Sequence, residues 1–248
     1  MRTFAIIPAR YGSSRFPGKP LATIFGKPMI QHVYERASSC PEFSGVLVAT
    51  DDERILTRVQ RFGGRAVMTD KSHRSGTDRI CEAARKIGLT GEDLIINIQG
   101  DQPVFDPSIV FKLIKPLTEN PSISMTTLKW KMDDETDIHN PNHVKVVTDN
   151  EGFALYFSRS PIPYFRENNR HSMEPYYKHL GFYGYKMKFL LRFTTLPEGT
   201  LEAAERLEQL RALEYGYRIK VLETDLNSIE VDVPEDIRKV EKTVRIYD

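Results

Sequence analysis

The chain has 248 residues, 40% of them hydrophobic, and its 35 basic and 34 acidic side chains leave a formal net charge of +1. That length bounds one large domain, or one domain carrying a lobe. The near-neutral balance excludes a whole-molecule attraction to nucleic acid or to a membrane surface, so any anion must be held by a local cluster.

No apolar run approaches the roughly 20 residues that a membrane helix needs, which predicts no membrane insertion. Cys40 and Cys81 lack metal-ligand spacing and read as free thiols of a reducing compartment. The first strand begins almost at Met1 and leaves no room for a signal peptide, so a cytoplasmic protein is expected.

Residues 3–8 (TFAIIP) form a near-continuous apolar run, as a strand buried on both faces would. Residues 27–39 carry Met29, Ile30, Val33 and Ala37 at helical spacing. A second buried strand is predicted at 45–50 (GVLVAT), then a helix from Asp51-Asp52 to Gly63-Gly64 and a short strand at 65–68. A helix over 75–87 has Ser75 as hydroxyl cap, Asp78 three residues on, and Gly88 as its stop. Residues 93–98 (DLIINI) are another buried strand. Short apolar strands alternating with helices predict an α/β protein with a mostly parallel central sheet covered by helices on both faces.

Beyond about residue 140 the pattern changes. Residues 145–148 and 153–158 flank Asp149-Asn150-Glu151-Gly152, a hairpin signal. The chain therefore reads as a single domain, 1–248, with a smaller β-rich lobe inserted at about 132–197. Two helices, over 201–215 and 234–244, are predicted to close it.

The segment after the first strand, residues 8–20 (PARYGSSRFPGKP), carries Arg10, Arg15 and Lys19. It falls at the carboxyl end of the sheet, where open α/β folds bind ligands. Gly12, Ser13 and Ser14 can turn N–H groups and hydroxyls toward an anion, while Pro17, Gly18 and Pro20 stiffen the bend. Neither GxxxxGK[ST] nor GxGxxG is present. This density of cations at this position favours a phosphate cradle over a solvated basic loop.

Two acidic motifs are candidates for a divalent ion. Asp101, in Gln99-Gly100-Asp101-Gln102-Pro103, follows the strand at 93–98 and lies at the same sheet edge. Asp232 precedes Pro234, which suits the first turn of a helix. Mg²⁺ favours a few protein oxygens supplemented by phosphate and water. A local reading stands beside this one, in which Asp101 stabilises a turn and Asp232 caps the last helix.

Other segments are less specific. Residues 73–79 (HRSGTDR) open a helix whose N–H groups suit a base edge or phosphate, although capping alone explains Ser75 and Asp78. Residues 179–185 (HLGFYGY) alternate like a strand, with His179, Gly181, Tyr183 and Tyr185 on one face and Leu180 and Phe182 on the other. That first face fits a polyhydroxylated ligand or, equally, a solvated surface. Leu207, Leu210 and Leu213 form a core stripe that turns Glu208 and Gln209 elsewhere, and Arg159 can pair with a carboxylate.

Taken in order, IIPARYGSSRFPGKPL, TDDERI, SGTDR, NIQGDQP, ALYFSRSPIP, KHLGFYGY, LEQLRALEYG and IEVDVPEDI resemble the 3-deoxy-manno-octulosonate (Kdo) cytidylyltransferase family, the CMP-Kdo synthetases. The likeness runs from Thr3 to about Val240. It implies a Rossmann-like nucleotidyltransferase fold, a homodimer, and the Mg²⁺-dependent reaction of CTP with Kdo for lipopolysaccharide synthesis. It implies a CTP site at Ala9, Arg10, Ser13, Ser14, Arg15, Lys19, Arg74, Ser75 and Gly76, with Arg10, Lys19 and Asp101 carrying the chemistry. It implies a metal site at Asp101 and Asp232, and a sugar-acid site at Gln99, Arg159, His179, Tyr185, Glu208 and Gln209. Parts of the loop, LEQLRALEYG and SIEVD also resemble the variant that activates 8-amino-3,8-dideoxy-manno-octulosonate. One departure is visible: the family commonly has DTPED where this chain has Asp232-Val233-Pro234-Glu235-Asp236. The lost hydroxyl removes a helix cap at a cost of roughly 1 kcal/mol.

Overall fold

A computed structural model of the chain describes residues 1–12, 15–166 and 176–247. Ser13 and Ser14 of the expected phosphate loop lie outside the described residues. In the first half, β1 (Thr3–Ala9) leads into a two-stranded hairpin of β2 (Thr23–Ile24) and β3 (Lys27–Pro28), then α1 (Met29–Ser38), β4 (Gly45–Thr50), α2 (Glu53–Arg61), β5 (Ala66–Met68), α3 (Gly76–Lys86) and β6 (Leu94–Asn97). The chain continues through α4 (Ile109–Glu119), β7 (Met125–Met132), α5 (Glu135–His139), β8 (Lys145–Thr148), β9 (Ala154–Ser158) and β10 (Tyr176–Lys186). It ends with α6 (Met187–Phe193), α7 (Thr200–Glu205), α8 (Gln209–Glu214), β11 (Lys220–Thr224) and α9 (Asp236–Tyr247).

The main sheet runs β11-β7-β10-β6-β1-β4-β5. β1 pairs in parallel with both β4 and β6, and β4 with β5. β10 is antiparallel to β6 and β7, which gives the mostly parallel, Rossmann-like sheet. From β1 the chain first builds outward to β4 and β5, then returns to β6 on the other side. The carboxyl ends of β1 and β6 therefore flank the point where strand order reverses, the standard ligand crevice of such sheets. The β8–β9 hairpin turns at Gly152 (φ 76°) and joins the same sheet through Lys145 and Lys178.

Period-two alternation divides the apolar strands between two cores. Phe4 and Ile6 of β1 face α3, α6 and α8, whose Ile80, Phe189 and Leu210 are buried with them. Ala5 and Ile7 face α1, α2 and α4, meeting Val33, Val59 and Leu113. A small third core, with Ile24, Met29, Val231 and Val240, seats α9 against the hairpin after the basic loop. Cys40 and Cys81 are buried free thiols. Among the described residues no helix is long and apolar enough to cross a membrane.

Two predicted helices differ from the observed ones. The helix expected from residue 27 starts at Met29, because Lys27 and Pro28 pair back onto Thr23 and Ile24. The helix expected over 201–215 is two, broken at Arg206, whose backbone is left-handed (φ 55°). Across the break, Arg211 clamps Glu202 with bonds of 2.6 and 2.7 Å, so the apolar stripe continues while the backbone does not.

Candidate active site

The loop after β1 folds back on itself before it reaches the sheet again. Gly18 donates its N–H to the Tyr11 carbonyl at 2.9 Å with φ 72°, and a Cβ there would stand 3.1 Å from the Tyr11 ring. Glycine is needed for both reasons. A single 3-10 turn, Lys19–Leu21, follows and delivers the Lys19 side chain over the end of β6. There Gly100 packs against β1: a Cβ at this position would lie 2.9 Å from the Pro8 carbonyl oxygen. The close approach is to backbone, and it sets Asp101 beside the basic loop.

Asp232 arrives by a long-range backbone pairing. Val231 N–H donates to the Asp101 carbonyl at 2.9 Å, and Ile229 N–H to that of Val104 at 3.3 Å. The two acids thereby face one crevice. Lys19 Nζ lies 2.5 Å from Asp101 Oδ2, 4.0 Å from Asp232 Oδ1 and 2.9 Å from the Val231 carbonyl. Arg15 grips Asp232 through both Nη atoms, at 3.0 and 3.2 Å. Asp232 does not cap α9. Asp236 serves that turn instead, accepting from the N–H groups of Asp232 and Val233 at 3.0 and 3.1 Å.

An ammonium already sits between two carboxylates, so the donor set is all oxygen and suits a hard divalent cation as well. Among the described residues no group of three or more His, Cys, Asp or Glu side chains could hold a metal. Two carboxylates with phosphate and water oxygens match what Mg²⁺ takes.

The crevice is a cleft of about 370 Å³. Ala9, Arg10, Arg15 and Lys19 line one wall; Arg74, Ser75 and Gly76 another; Gln99, Asp101 and Asp232 the floor and far side. Ser75 Oγ accepts the Asp78 N–H at 3.1 Å, so the predicted cap is present and its residue still borders the cleft. Arg79, the end of the 73–79 segment but not assigned to the site from sequence, also lines the cleft. It is buried and pairs with Asp51 at 2.8 Å. Its place on the inner face of α3 was the available signal.

The sugar-acid candidates divide. Gln99 borders the cleft and donates to the Gly181 carbonyl at 3.4 Å. His179, Tyr183 and Tyr185 form a buried ring ladder on one face of β10, with centroids 5.3 and 5.7 Å apart. That face is therefore not solvated. Burial holds the His179 imidazole far below its ordinary range, at about 3, so it is neutral and meets Thr127 Oγ1 at 3.0 Å. Burial raises the Glu208 carboxyl, whose Oε2 accepts from Thr77 Oγ1 at 2.8 Å. Glu208 Oε1, Gln209 Nε2 and Asn97 Oδ1 are buried with no hydrogen-bond partner among the described residues. Arg159 is elsewhere: its guanidinium donates to the carbonyls of Glu205, Pro141 and Arg206. Tyr183, on the β10 face read from sequence, and Thr77, in the 73–79 segment, belong to this neighbourhood without having been assigned to the site; Asn97 carried no sequence signal.

A Rossmann-like sheet whose switch-point crevice joins a cationic loop to paired acids defines a nucleotidyltransferase. Residues 4–221 match the cytidylyltransferase family, and the chain belongs to it. It is 55% identical over 246 residues to a 3-deoxy-manno-octulosonate cytidylyltransferase of Desulfatibacillum aliphaticivorans, covering 99% of each. It is 52% identical over 247 residues to an 8-amino-3,8-dideoxy-manno-octulosonate cytidylyltransferase of Shewanella oneidensis, covering 99% of this chain and 100% of that one. A solved structure of CMP:2-keto-3-deoxy-manno-octonic acid synthetase complexed with CTP superposes with a TM-score of 0.92 at 43% identity, covering 100% of both chains.

Proposed function

We propose that the protein transfers CMP from CTP to Kdo, giving CMP-Kdo and diphosphate for lipopolysaccharide synthesis in the cytoplasm. The observation that carries this reading is the convergence of Arg15, Lys19, Asp101 and Asp232 on one crevice, in a chain so close to the CTP-complexed synthetase. The anomeric hydroxyl attacks the α-phosphorus. A C–O–P bond forms, the bond to the β-phosphate bridging oxygen breaks, and the hydroxyl proton passes to solvent. Arg10 and Lys19 neutralise charge on the phosphates as diphosphate leaves. Asp101 and Asp232 would hold Mg²⁺, which when bound supplies Lewis-acid polarisation and lowers the pKa of a coordinated hydroxyl. Ala9, Ser13, Ser14, Arg74, Ser75 and Gly76 complete the nucleotide site in this reading.

The acceptor's polar groups meet Gln99, His179, Tyr185, Glu208 and Gln209, and the unpartnered atoms of Glu208 and Gln209 support that assignment. Arg159 takes part by organising the 205–206 turn beside them. The lobe at about 132–197 carries part of the acceptor site and the homodimer contact. The second reading has 8-amino-3,8-dideoxy-manno-octulosonate as the acceptor, favoured by the 52% identity to the enzyme bearing that name. Diphosphate release from CTP, measured with each sugar at equal concentration, separates them: a higher kcat/KM with Kdo is expected, a preference for the amino sugar replaces it, and no release with either overturns both.

A further inference from the structure

Three of the four carboxylate oxygens of the crevice already meet a cation. Both oxygens of Asp232 are engaged, Oδ1 by Arg15 Nη2 at 3.0 Å and Oδ2 by Arg15 Nη1 at 3.2 Å. Asp101 Oδ2 is held by Lys19 at 2.5 Å, and the same ammonium is 4.0 Å from Asp232. A divalent ion and these cations compete for the same lone pairs at close range, where like charges repel strongly. Both cations belong to the loop that lines the nucleotide cleft.

We infer that Arg15 and Lys19 are exchangeable counter-cations: they hold Asp101 and Asp232 aimed at the crevice in the nucleotide-free protein and leave them when a triphosphate arrives. The inference rests on the proposed metal site. The Arg15 side chain is 57% exposed, so its pair with Asp232 is solvent-screened and weak enough to exchange. Phosphate oxygens offer the guanidinium the same bidentate geometry with more negative charge. Moving the cations to the phosphates uncovers the carboxylates, so nucleotide and metal assist one another's binding, and linkage makes the effect reciprocal. Arg15 is thus a positioning residue for Asp232. A contact to phosphate alone would give it no influence on metal before nucleotide binds.

The test is Mn²⁺ titration of the full chain, with free Mn²⁺ read by electron paramagnetic resonance, first without nucleotide. Wild type is expected to bind weakly, and Arg15→Gln about tenfold more tightly, within the usual range of site–site coupling. That gain should vanish in Arg15→Gln/Asp101→Asn, with circular dichroism verifying the fold of each variant. Adding an α,β-methylene CTP analogue should tighten Mn²⁺ on wild type by more than it does on Arg15→Gln, after subtracting the analogue's own chelation. Equal Mn²⁺ affinity of nucleotide-free wild type and Arg15→Gln overturns the inference while leaving the metal site intact. A gain that survives Asp101→Asn also overturns it. No Mn²⁺ uptake by wild type even with the analogue removes the metal reading, and the inference with it.

Discussion

In the proposed reading, the nucleotide side and the acceptor side of this protein recognise polar ligands by opposite means. On the nucleotide side the groups are charged, partly exposed and already paired with one another, as Arg15 and Lys19 are with Asp232 and Asp101. On the acceptor side they are buried, His179 is held neutral, and atoms of Glu208, Gln209 and Asn97 lack partners among the described residues. A triphosphate can be met by exchanging one ion pair for another, which costs little in water. The neutral polyol part of a sugar acid gains little that way. It is distinguished by buried donors and acceptors whose unmet bonds cost about 1–3 kcal/mol each until the right partner fills them.

The largest expected effect lies on the charged side. Asp101→Asn keeps the shape and removes the charge, and turnover should fall on the order of a thousand-fold, as when a positioned electrostatic group is lost. At 32% exposure the side chain contributes little to folding, so the melting temperature should barely move. Near-normal turnover at saturating Mg²⁺ would break the assignment of this side to charge exchange.

Next is Glu208→Gln, on the buried side. It should raise KM for the acceptor sugar about tenfold or more, the worth of a charged hydrogen bond, while KM for CTP stays put. An equal rise in both would mean that the two sides are not separable, and that the 2.8 Å bond to Thr77 at the start of α3 transmits the damage to the nucleotide wall.

How much of this was legible in the sequence follows the same division. The β1 loop, the Ser75 cap, the β8–β9 hairpin and the two-faced β10 rest on neighbours in the chain, and local pattern revealed them. The meeting of Asp101 with Asp232 rests on Val231 and Ile229 pairing with backbone 125 or more residues away in sequence terms only; no local pattern encodes it. The break at Arg206 was hidden because left-handed backbone there is not marked by glycine, and Leu207, Leu210 and Leu213 carry an unbroken apolar stripe past it. The exposed or buried character of the β10 polar face was also undecidable, since alternation says which residues share a face and not what covers it.

The buried side has a pH signature of its own. His179 has its folded pKa lowered from 6.5 to about 3 by burial, so between these values the unfolded chain binds the extra proton. Stability therefore rises with pH across this window and is lost as pH falls through it, with a slope of at most about 1.4 kcal/mol per pH unit. Glu208, raised by burial, acts in the opposite sense, because its folded form keeps a proton that the unfolded form releases. Urea unfolding of wild type and His179→Gln at several pH values isolates the histidine: the wild-type curve should be the steeper between pH 6.5 and about 3. Parallel curves would mean that His179 titrates in the folded protein as it does in the unfolded chain, and that burial does not hold it neutral.

The smallest expected effect tests how Asp232 is held for the charged side. Pro234 and Asp236 begin the turn into α9, and Asp236 Oδ2 already accepts the Val233 N–H at 3.1 Å. Asp236 N–H in turn donates to the Val233 carbonyl at 3.1 Å, so Val233 stands where a capping hydroxyl would. Half of a capping box is therefore built, with the carboxylate returning to the backbone and no hydroxyl coming forward. Val233→Thr completes it. The gain should be about 0.5–1 kcal/mol, or roughly 1–4 °C in melting temperature for a domain of this size. Because the added bond lies on the helix side of the turn, Asp232 keeps its pair with Arg15 and turnover should not change. A stability gain accompanied by a fall in turnover would show that the crevice needs Asp232 mobile, and the exchange of ion pairs on this side would then involve the acid as well as its cations.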